Sequence, residues 1–418
     1  MSGGSLLELS TNFGQQAARL TDRPQVTFWK QVHRRHTNFS TEHVQVTFQG
    51  STGFNQKMIA IVPRTADLIN KTYLYVTMPA LVATGGGSVS YTRNLGNCLI
   101  KKARVVIGPT IIDEQSGIWM YIWHQFTEKS GHVGTYDILT GNTTDATIPT
   151  TGTLPAQNLY IPLDLFFTTR PGLSIPLLAI SFAETRIEIE TNTLESLVIL
   201  GNSGGFTADK TQFTASLWIK YVHLDEQERL SLTQRPMEIL YEETQYTGDE
   251  TVNGQSDRKV VTHVHPIKTF YFVFSLAANQ AANRWTDFTD NGAGNNPYAG
   301  GNILASANLQ IYNTDRFSRQ DGNFFNLIQA YEHFPQGPAV GIYCYNLCLN
   351  PTEHQPSGTL NMSKVDNAAW SFTFTQSLSN CLYMLWSKDY NIVKIMNGLA
   401  GRGFANRALP AVRFAMAC

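Results

Sequence analysis

Hydrophobic positions along most of the chain alternate with polar ones or cluster in short β-branched and aromatic runs. HVQVTF, KTYLYVTMPAL, KARVVIG, TRIEIET, ASLWIKYVHL, KTFYFVFSL, ANLQIYN, VGIYCYNLCL and WSFTFTQS all have this character. Such runs, separated by clusters of Gly, Asn, Thr and Pro, predict strands joined by turns. The stretches ATGGGSVS and TDNGAGNNPYAGGN are polar and glycine-rich, which predicts exposed loops between strands. Many strands with long loops point to sandwiches rather than to alternating strands and helices around a parallel sheet.

The pattern occurs twice. KTYLYV from Lys71 returns as KTFYFV from Lys268, and Arg104–Phe126 lines up with Leu309–Tyr331. In the second match Gly117 meets Gly322, Trp119 meets Phe324, Ile122 meets Leu327 and Phe126 meets Tyr331. Each copy reads as a strand, a turn, a glycine and then apolar residues at helical spacing. A looser match sets LWIKYVHLDEQERL (from Leu217) beside LYMLWSKDYNIVKI (from Leu382), each a closing strand running into a helical segment. Two copies of one β-rich unit with an inserted helix follow, divided near the charged stretch LDEQERLSLTQRP (Leu224–Pro236).

Length and charge narrow the class. A chain of 418 residues exceeds one ordinary core, and 42% hydrophobic against 15% charged residues suits a well-buried globular protein. A formal net charge of −1 lacks the basic excess with which a nucleic-acid-coating protein replaces counterions, so no direct nucleic-acid partner is expected. Near-neutrality weakens repulsion between copies and favours self-association. The five cysteines (Cys98, Cys344, Cys348, Cys381 and Cys418) are scattered and odd in number, which argues against a disulfide framework. The start MSGGSLLELSTNFGQQ has no basic region followed by a long apolar run, and the longest apolar stretch, LSIPLLAISFA, is about half a membrane span. These features predict a soluble chain made in a reducing compartment.

Candidate chemistry is sparse. Cys344 and Cys348 share a strand face about 13 Å apart, too far for a disulfide or a shared metal, and read as two buried small residues. His263 and His265 would share a strand face about 7 Å apart. Cupin-type metal sites use such a pair, but Pro266, Ile267, Lys268 and Thr269 follow with no carboxylate, which favours a structural or exposed pair. The segment FWKQVHRRHTNF concentrates Lys30, His33, Arg34, Arg35 and His36 between aromatics, either a solvated face or a docking patch for an acidic partner or membrane surface. Sequons at Asn38, Asn70, Asn142 and Asn361 are poor glycan acceptors without a secretory signal. GLAGRG (Gly398–Gly403) lacks the Lys-Ser/Thr of a phosphate loop and reads as a helix ending in flexible backbone. No catalytic, cofactor or metal residue is assigned.

The segment PTEHQPSGTLNMSKVDN (Pro351–Asn367) reads as a strand, a proline-rich corner and a second strand, with Pro351 and Pro356 breaking the ladder and Gly358 supplying positive φ. It also resembles the signature segment of the major capsid proteins of nucleocytoplasmic large DNA viruses. PQVTFWKQVHRRHTNF (Pro24–Phe39), IPLDLFFTTRPGLSIPLLAISFAETRIEI (Ile161–Ile189), LWIKYVHLDEQER and YNIVKIMNGLAG (Tyr390–Gly401) are similar to that family in the same order. The likeness runs from Ser2 to about Gly401 and is strongest to the compact members from chlorella-type viruses.

The resemblance implies an all-β double jelly roll of two eight-stranded antiparallel sandwiches with short inserted helices. We divide the chain into an N-terminal arm (1–24), a first jelly roll (25–223), a linker helix (224–236), a second jelly roll (237–400) and a tail (401–418). The family further implies a homotrimer whose six jelly rolls form a pseudo-hexagonal capsomer, tiling an icosahedral shell over an internal membrane. The glycine-rich loops would point outward. The arm with Lys30, Arg34 and Arg35 would lie near the base, against minor capsid or penton proteins or an anionic membrane. Trimer contacts would be extensive and partly apolar, and contacts between capsomers thinner and more polar. Synthesis in the host cytoplasm and assembly at viral factories into virions are implied as well. The tail ANRALPAVRFAMAC, with Arg407, Arg413 and Cys418, runs past the family's usual end and has no assigned role. Two other readings compete. A bicupin metalloenzyme would need a second His-x-His ahead of Lys71, where none stands, and a lectin-like sandwich accounts for the 11% aromatic content but not for the ordered motifs.

Overall fold

The computed structural model describes residues 3–29, 33–129, 131–201, 204–292 and 298–405. Contacts divide the chain at Phe39. The leading unit holds two short helices, α1 (Gly3–Thr11) and α2 (Gln15–Thr21), with no buried residue in either. Everything from Ser40 onward forms the second unit, described in the rest of this section.

Its first half contains eight principal strands. These are β1 (Phe39–Val46), β2 (Lys57–Ile61), β3 (Leu68–Met78), β4 (Ile100–Ile107), β5 (Thr110–Gln115), β6 (Gln157–Pro162), β7 (Thr185–Thr191) and β8 (Thr214–Leu224). They pair antiparallel into two sheets, β1-β8-β3-β6 and β2-β7-β4-β5. Alternation sets the packing: along β3, Leu74, Val76 and Met78 are fully buried while Tyr73, Tyr75 and Thr77 face out half-buried. Between β5 and β6 the chain inserts helix α3 (Gly117–Thr127), whose first turn is capped by Ser116, with Oγ accepting from the Trp119 amide at 3.3 Å.

A charged helix, α4 (Glu226–Gln234), buries nothing and leads into the second half. There the principal strands are β9 (Met237–Val260), β10 (Pro266–Ser275), β11 (Leu304–Ile311), β12 (Thr314–Asp315), β13 (Ile342–Asn346), β14 (Ala368–Met396) and β15 (Leu399–Arg402). β9 and β14 are long enough to run through both sheets. Their Met237–Tyr246 and Trp386–Ile395 parts join β10 and β13, while their Ser256–Val260 and Ala369–Thr373 parts join β11 and β12. The resulting orders, β9-β14-β10-β13 and β9-β14-β11-β12, repeat those of the first half. Helix α5, a wide turn over Phe324–Ile328 continuing as Gln329–His333, occupies the place of α3. The molecule is a double jelly roll.

Each half has its own aromatic and aliphatic core, and the first core is completed from outside. Tyr241, Val393 and Ile395 of the second half are buried with β2, β4 and β7 residues in the first cluster. The second core is Phe-rich, with Phe270, Phe272, Phe274, Phe372 and Trp370 in ring contact.

Several sequence expectations change here. The KTYLYV/KTFYFV match is displaced by one residue: it pairs Leu74, which points into its core, with Tyr271, which points out of the second core. A one-residue slip on a strand inverts the face of every side chain; Tyr73, which faces out and pairs with Trp218 as Tyr271 pairs with Trp386, is the counterpart of Tyr271. The Leu382 segment does not run into a helix, since β14 stays extended to Met396 and turns through Asn397 and Gly398 into β15. GLAGRG is therefore a hairpin and strand, not a helix end, because the left-handed Asn397–Gly398 pair supports a tight turn. The ATGGGSVS stretch is bracketed by short strands Leu81–Thr84 and Ser88–Tyr91 with Val89, Ser90 and Tyr91 buried, so only its tip is loop. Part of the second glycine-rich loop (293–297), together with Lys30, Arg407, Arg413 and Cys418, lies outside the described residues.

Candidate assembly surface

The aligned glycines mark the point where each inserted helix starts against the backbone at the head of a strand, β4 or β11. A Cβ on Gly117 would stand 1.8 Å from the Asn97 carbonyl oxygen and 2.5 Å from that of Ile100. One on Gly322 would stand 2.2 Å from the carbonyl oxygen of Leu304. Only hydrogen fits, and this requirement sets where the apolar face of each helix points.

In the first half that face is used. Trp119, Ile122 and Phe126 of α3 are fully buried against the outer side of the second half's β14-β10-β13 sheet, on Trp386, Tyr271, Met384, Val273, Cys344 and Ile342. The Trp119 ring lies 5.1 Å from Tyr271 and 5.9 Å from Trp386, and Phe126 lies 5.3 Å from Tyr271 and 4.7 Å from Phe334. The two pairs with Tyr271 are edge-to-face and the other two tilted, and aromatic pairs of this kind add about 1 kcal/mol each beyond the area they bury.

In the second half Phe324, opposite Trp119, is half-buried against its own core, but the rest of the equivalent face is bare. Leu327 is 55% exposed where Ile122 is 0%, and Tyr331 is 90% exposed where Phe126 is 0%. Ile328, opposite Trp123, is 47% exposed, and Leu349 nearby in sequence to β13 is exposed as well. The receiving surface also has its counterpart. On the second half's sheet, Trp386, Tyr271 and Cys344 stand side by side across β14, β10 and β13. On the first half's sheet the matching row across β8, β3 and β6 is Trp218, Tyr73 and Pro162, followed by Ser216, Tyr75 and Tyr160. Trp218, Tyr73 and Tyr75 are half-buried and Tyr160 is exposed, with Tyr75 and Tyr160 in ring contact at 4.7 Å. One chain thus carries an unmatched apolar helix face and an unmatched aromatic sheet face of the kind it has already joined once internally.

The proline-rich corner is held by charge from below. Lys268, fully buried on β10, donates to Glu242 Oε1 at 2.7 Å, to the Pro351 carbonyl at 2.9 Å and to the Glu353 carbonyl at 2.8 Å. Burial lowers the Lys268 pKa, opposed by Glu242. Burial would raise Glu242, but Lys388, His354 and Lys268 together outweigh it and hold its pKa down to about 2. Gly358 has φ +138°, as the corner reading expected, and Ser357 Oγ accepts from the Asn350 amide at 3.0 Å. Asn361 Oδ1 accepts from the Ser363 amide at 3.1 Å, a hydrogen-bonding role.

The other candidates are dispersed. Cys344 and Cys348 are buried free thiols, Cys348 beyond the end of β13. His263 and His265 lie ahead of β10 rather than in a strand, and both are buried. His263 is hydrogen-bonded through Nε2 to Thr247 Oγ1 at 2.8 Å, and burial pushes its pKa down to about 3. His265 sits at φ +70°, so the regular alternation assumed for the pair does not apply. His33, Arg34, Arg35 and His36 are exposed. Of the sequon asparagines, Asn70 is buried and donates to Ser174 Oγ at 2.9 Å. Among the described residues no helix is long and apolar enough to cross a membrane.

Two family models cover this architecture half by half: "Major capsid protein N-terminus" matches residues 27–225, and "Large eukaryotic DNA virus major capsid protein" matches residues 228–401. The major capsid protein of Pyramimonas orientalis virus is 31% identical over 97% of this chain and 100% of its own length. That of Paramecium bursaria Chlorella virus 1 is 30% identical over the same shares. The chain belongs to the major capsid protein family of large eukaryotic DNA viruses. Its fold agrees with the crystal structure of PBCV-1 VP54, at TM-score 0.78 and 25% identity over 91% of this chain and 100% of that one. The Faustovirus major capsid protein has the same fold at TM-score 0.77 and 12% identity, over 94% of this chain and 96% of that one. This major capsid protein is a building block of the capsid shell.

Proposed function

We propose that three copies of this capsid protein close into a ring in which α5 of each copy packs on the β8-β3-β6 face of the next. The contact repeats the internal packing of α3 on β14-β10-β13, so six sandwiches alternate around a near-sixfold axis and yield a pseudo-hexagonal capsomer. The observation that carries this is the difference within the repeat: Phe126 at 0% exposure and Tyr331 at 90%. Such capsomers tile an icosahedral shell, and the protein's role there is structural, with no catalytic step. The division into 25–223 and 237–400, joined by 224–236, follows the two cores, except that Tyr241, Val393 and Ile395 of the second half complete the first.

The exposed Arg34 and Arg35 supply positive charge for an acidic partner, whether a minor capsid or penton protein or an anionic internal membrane. The tip of the ATGGGSVS loop lies on the outward rim. Synthesis in the host cytoplasm and assembly at viral factories accord with the four described cysteines, all free thiols. The test is the mass of the purified protein together with its outline by electron microscopy. A trimer with hexagonal outline is expected, and a protein that stays monomeric or dimeric at micromolar concentration overturns the ring.

A further inference from the structure

Glu243 on β9 and Asp389 on β14 stand directly opposite each other across an antiparallel pair, and both are buried. Like charges at opposed positions destabilise a sheet, and burial raises the cost. Glu243 is answered: Arg402 Nη1 lies 3.1 Å from Oε1, and Asn391 Nδ2 donates to Oε2 at 2.8 Å. Asp389 is not. It is 0% exposed, and among the described residues neither carboxylate oxygen has a partner at hydrogen-bond distance, Gln245, Arg402 and Lys388 acting on it only from further off. The nearby Gln245 amide is engaged with both backbone groups of Val264. Lys388 lies 4.0 Å over the Trp123 ring and pairs with Glu242.

A third group arrives from a different segment. His265 precedes β10, where Ile267 is the partner of Asp389. Its backbone is fixed at φ +70°, with the amide donating to Ser363 Oγ at 2.9 Å and the carbonyl accepting from the Met362 amide at 3.0 Å. One potential ligand atom each of Glu243, His265 and Asp389 lies within 4.8 Å of the others.

We propose that Glu243, His265 and Asp389 bind one first-row divalent cation, zinc fitting best, in a structural site that ties β9, β14 and the start of β10 together. A cation placed among the three groups gives the buried Asp389 carboxylate a direct partner. One imidazole and two carboxylates are a nitrogen–oxygen set that zinc accepts at about 2.0–2.2 Å, with water completing a tetrahedron. Ligand atoms around such an ion are about 3.5 Å apart, so the side chains close by roughly 1 Å. Calcium asks for six or more oxygens at longer range and is poorly served here. The site is independent of the ring proposed above, since all its ligands belong to one chain.

The test uses the full-length protein, stripped with a chelator and then dialysed against micromolar free zinc, calcium or magnesium. Metal per chain is measured by mass spectrometry, and the melting temperature is measured alongside. The expected result is about one zinc per chain and a rise of several degrees over the chelated protein, with no rise in calcium or magnesium. Asp389→Asn and His265→Asn, the latter keeping a residue that tolerates positive φ, each lose the zinc and the rise. Chelated Asp389→Asn melts no lower than the chelated parent. Wild type that retains no zinc, or Asp389→Asn that still binds it, overturns the site and leaves a proton shared between the carboxyls as the neutralising partner.

Discussion

Tyr331→Ala tests the ring most directly. Tyr331 is 90% exposed, so its removal leaves the fold of a single chain intact, within about 0.5 kcal/mol. If the ring buries the side chain on Trp218, Tyr73 and Tyr75 of the next copy, each contact loses roughly 120–150 Å² of burial. At about 25 cal/mol per Å² this is about 3 kcal/mol, the size of an interface hot spot. Symmetry multiplies the loss: three distant, equivalent contacts add to about 9 kcal/mol per trimer. That is between six and seven decades in the trimer dissociation constant. Because the constant scales as the square of concentration, the half-assembly concentration rises by about a thousandfold. Sedimentation velocity over a dilution series measures this shift, with the melting temperature of the monomeric fraction as control. A variant that assembles at the parental concentration shows that α5 does not face a neighbouring copy, and the reasoning from the repeat fails.

Other consequences can be checked separately. Gly117→Ala and Gly322→Ala each drive a Cβ to 1.8 Å and 2.2 Å from a carbonyl oxygen, and each should cost more than about 3 kcal/mol in denaturant unfolding or abolish soluble expression. Gly358→Val, at φ +138° with its Cβ 3.0 Å from the Leu347 carbonyl, should lower the yield of folded protein more than Pro356→Ala does. Asp113, with its pKa raised by burial to about 6 against the opposing Phe166 amide and Gln115, makes stability fall as pH rises from about 4 to 6. The penalty is then fully present above about 6, at up to about 3 kcal/mol. Asp113→Asn should accordingly gain on the parent at pH 8 and not at pH 4 in paired thermal melts. An equal difference at both pH values refutes that assignment.

The strands were legible because β-branched and aromatic residues crowd into them, and the repeat because Gly117 and Gly322 meet the same steric demand. Register was less legible. Lys-Thr-aromatic recurs at Lys71 and Lys268, yet similarity of letters is blind to which face a side chain occupies, and a single-residue displacement inverts it. The cluster of Glu243, His265 and Asp389 left no trace in local spacing, because strand pairing alone brings positions so distant in sequence together. His263 and His265 misled for the converse reason. They are neighbours in sequence, but the left-handed backbone at His265 sends it to partners that His263 does not share. The exposed stripe on α5 was visible as helical spacing, but only comparison of burial between the copies shows that it lacks a partner.

The first core is closed by Tyr241, Val393 and Ile395, while Arg402 Nη2 bonds the carbonyls of Ile111 and Ile112 on β5. A chain emerging from the ribosome therefore cannot finish its first sandwich when the first-half strands are complete; it must wait for nearly the last described residues. Premature termination or proteolysis near residue 390 would leave an open first core as well as an incomplete second one. A defective chain would be marked in both halves, and a growing shell would be offered only subunits translated at least through Arg402.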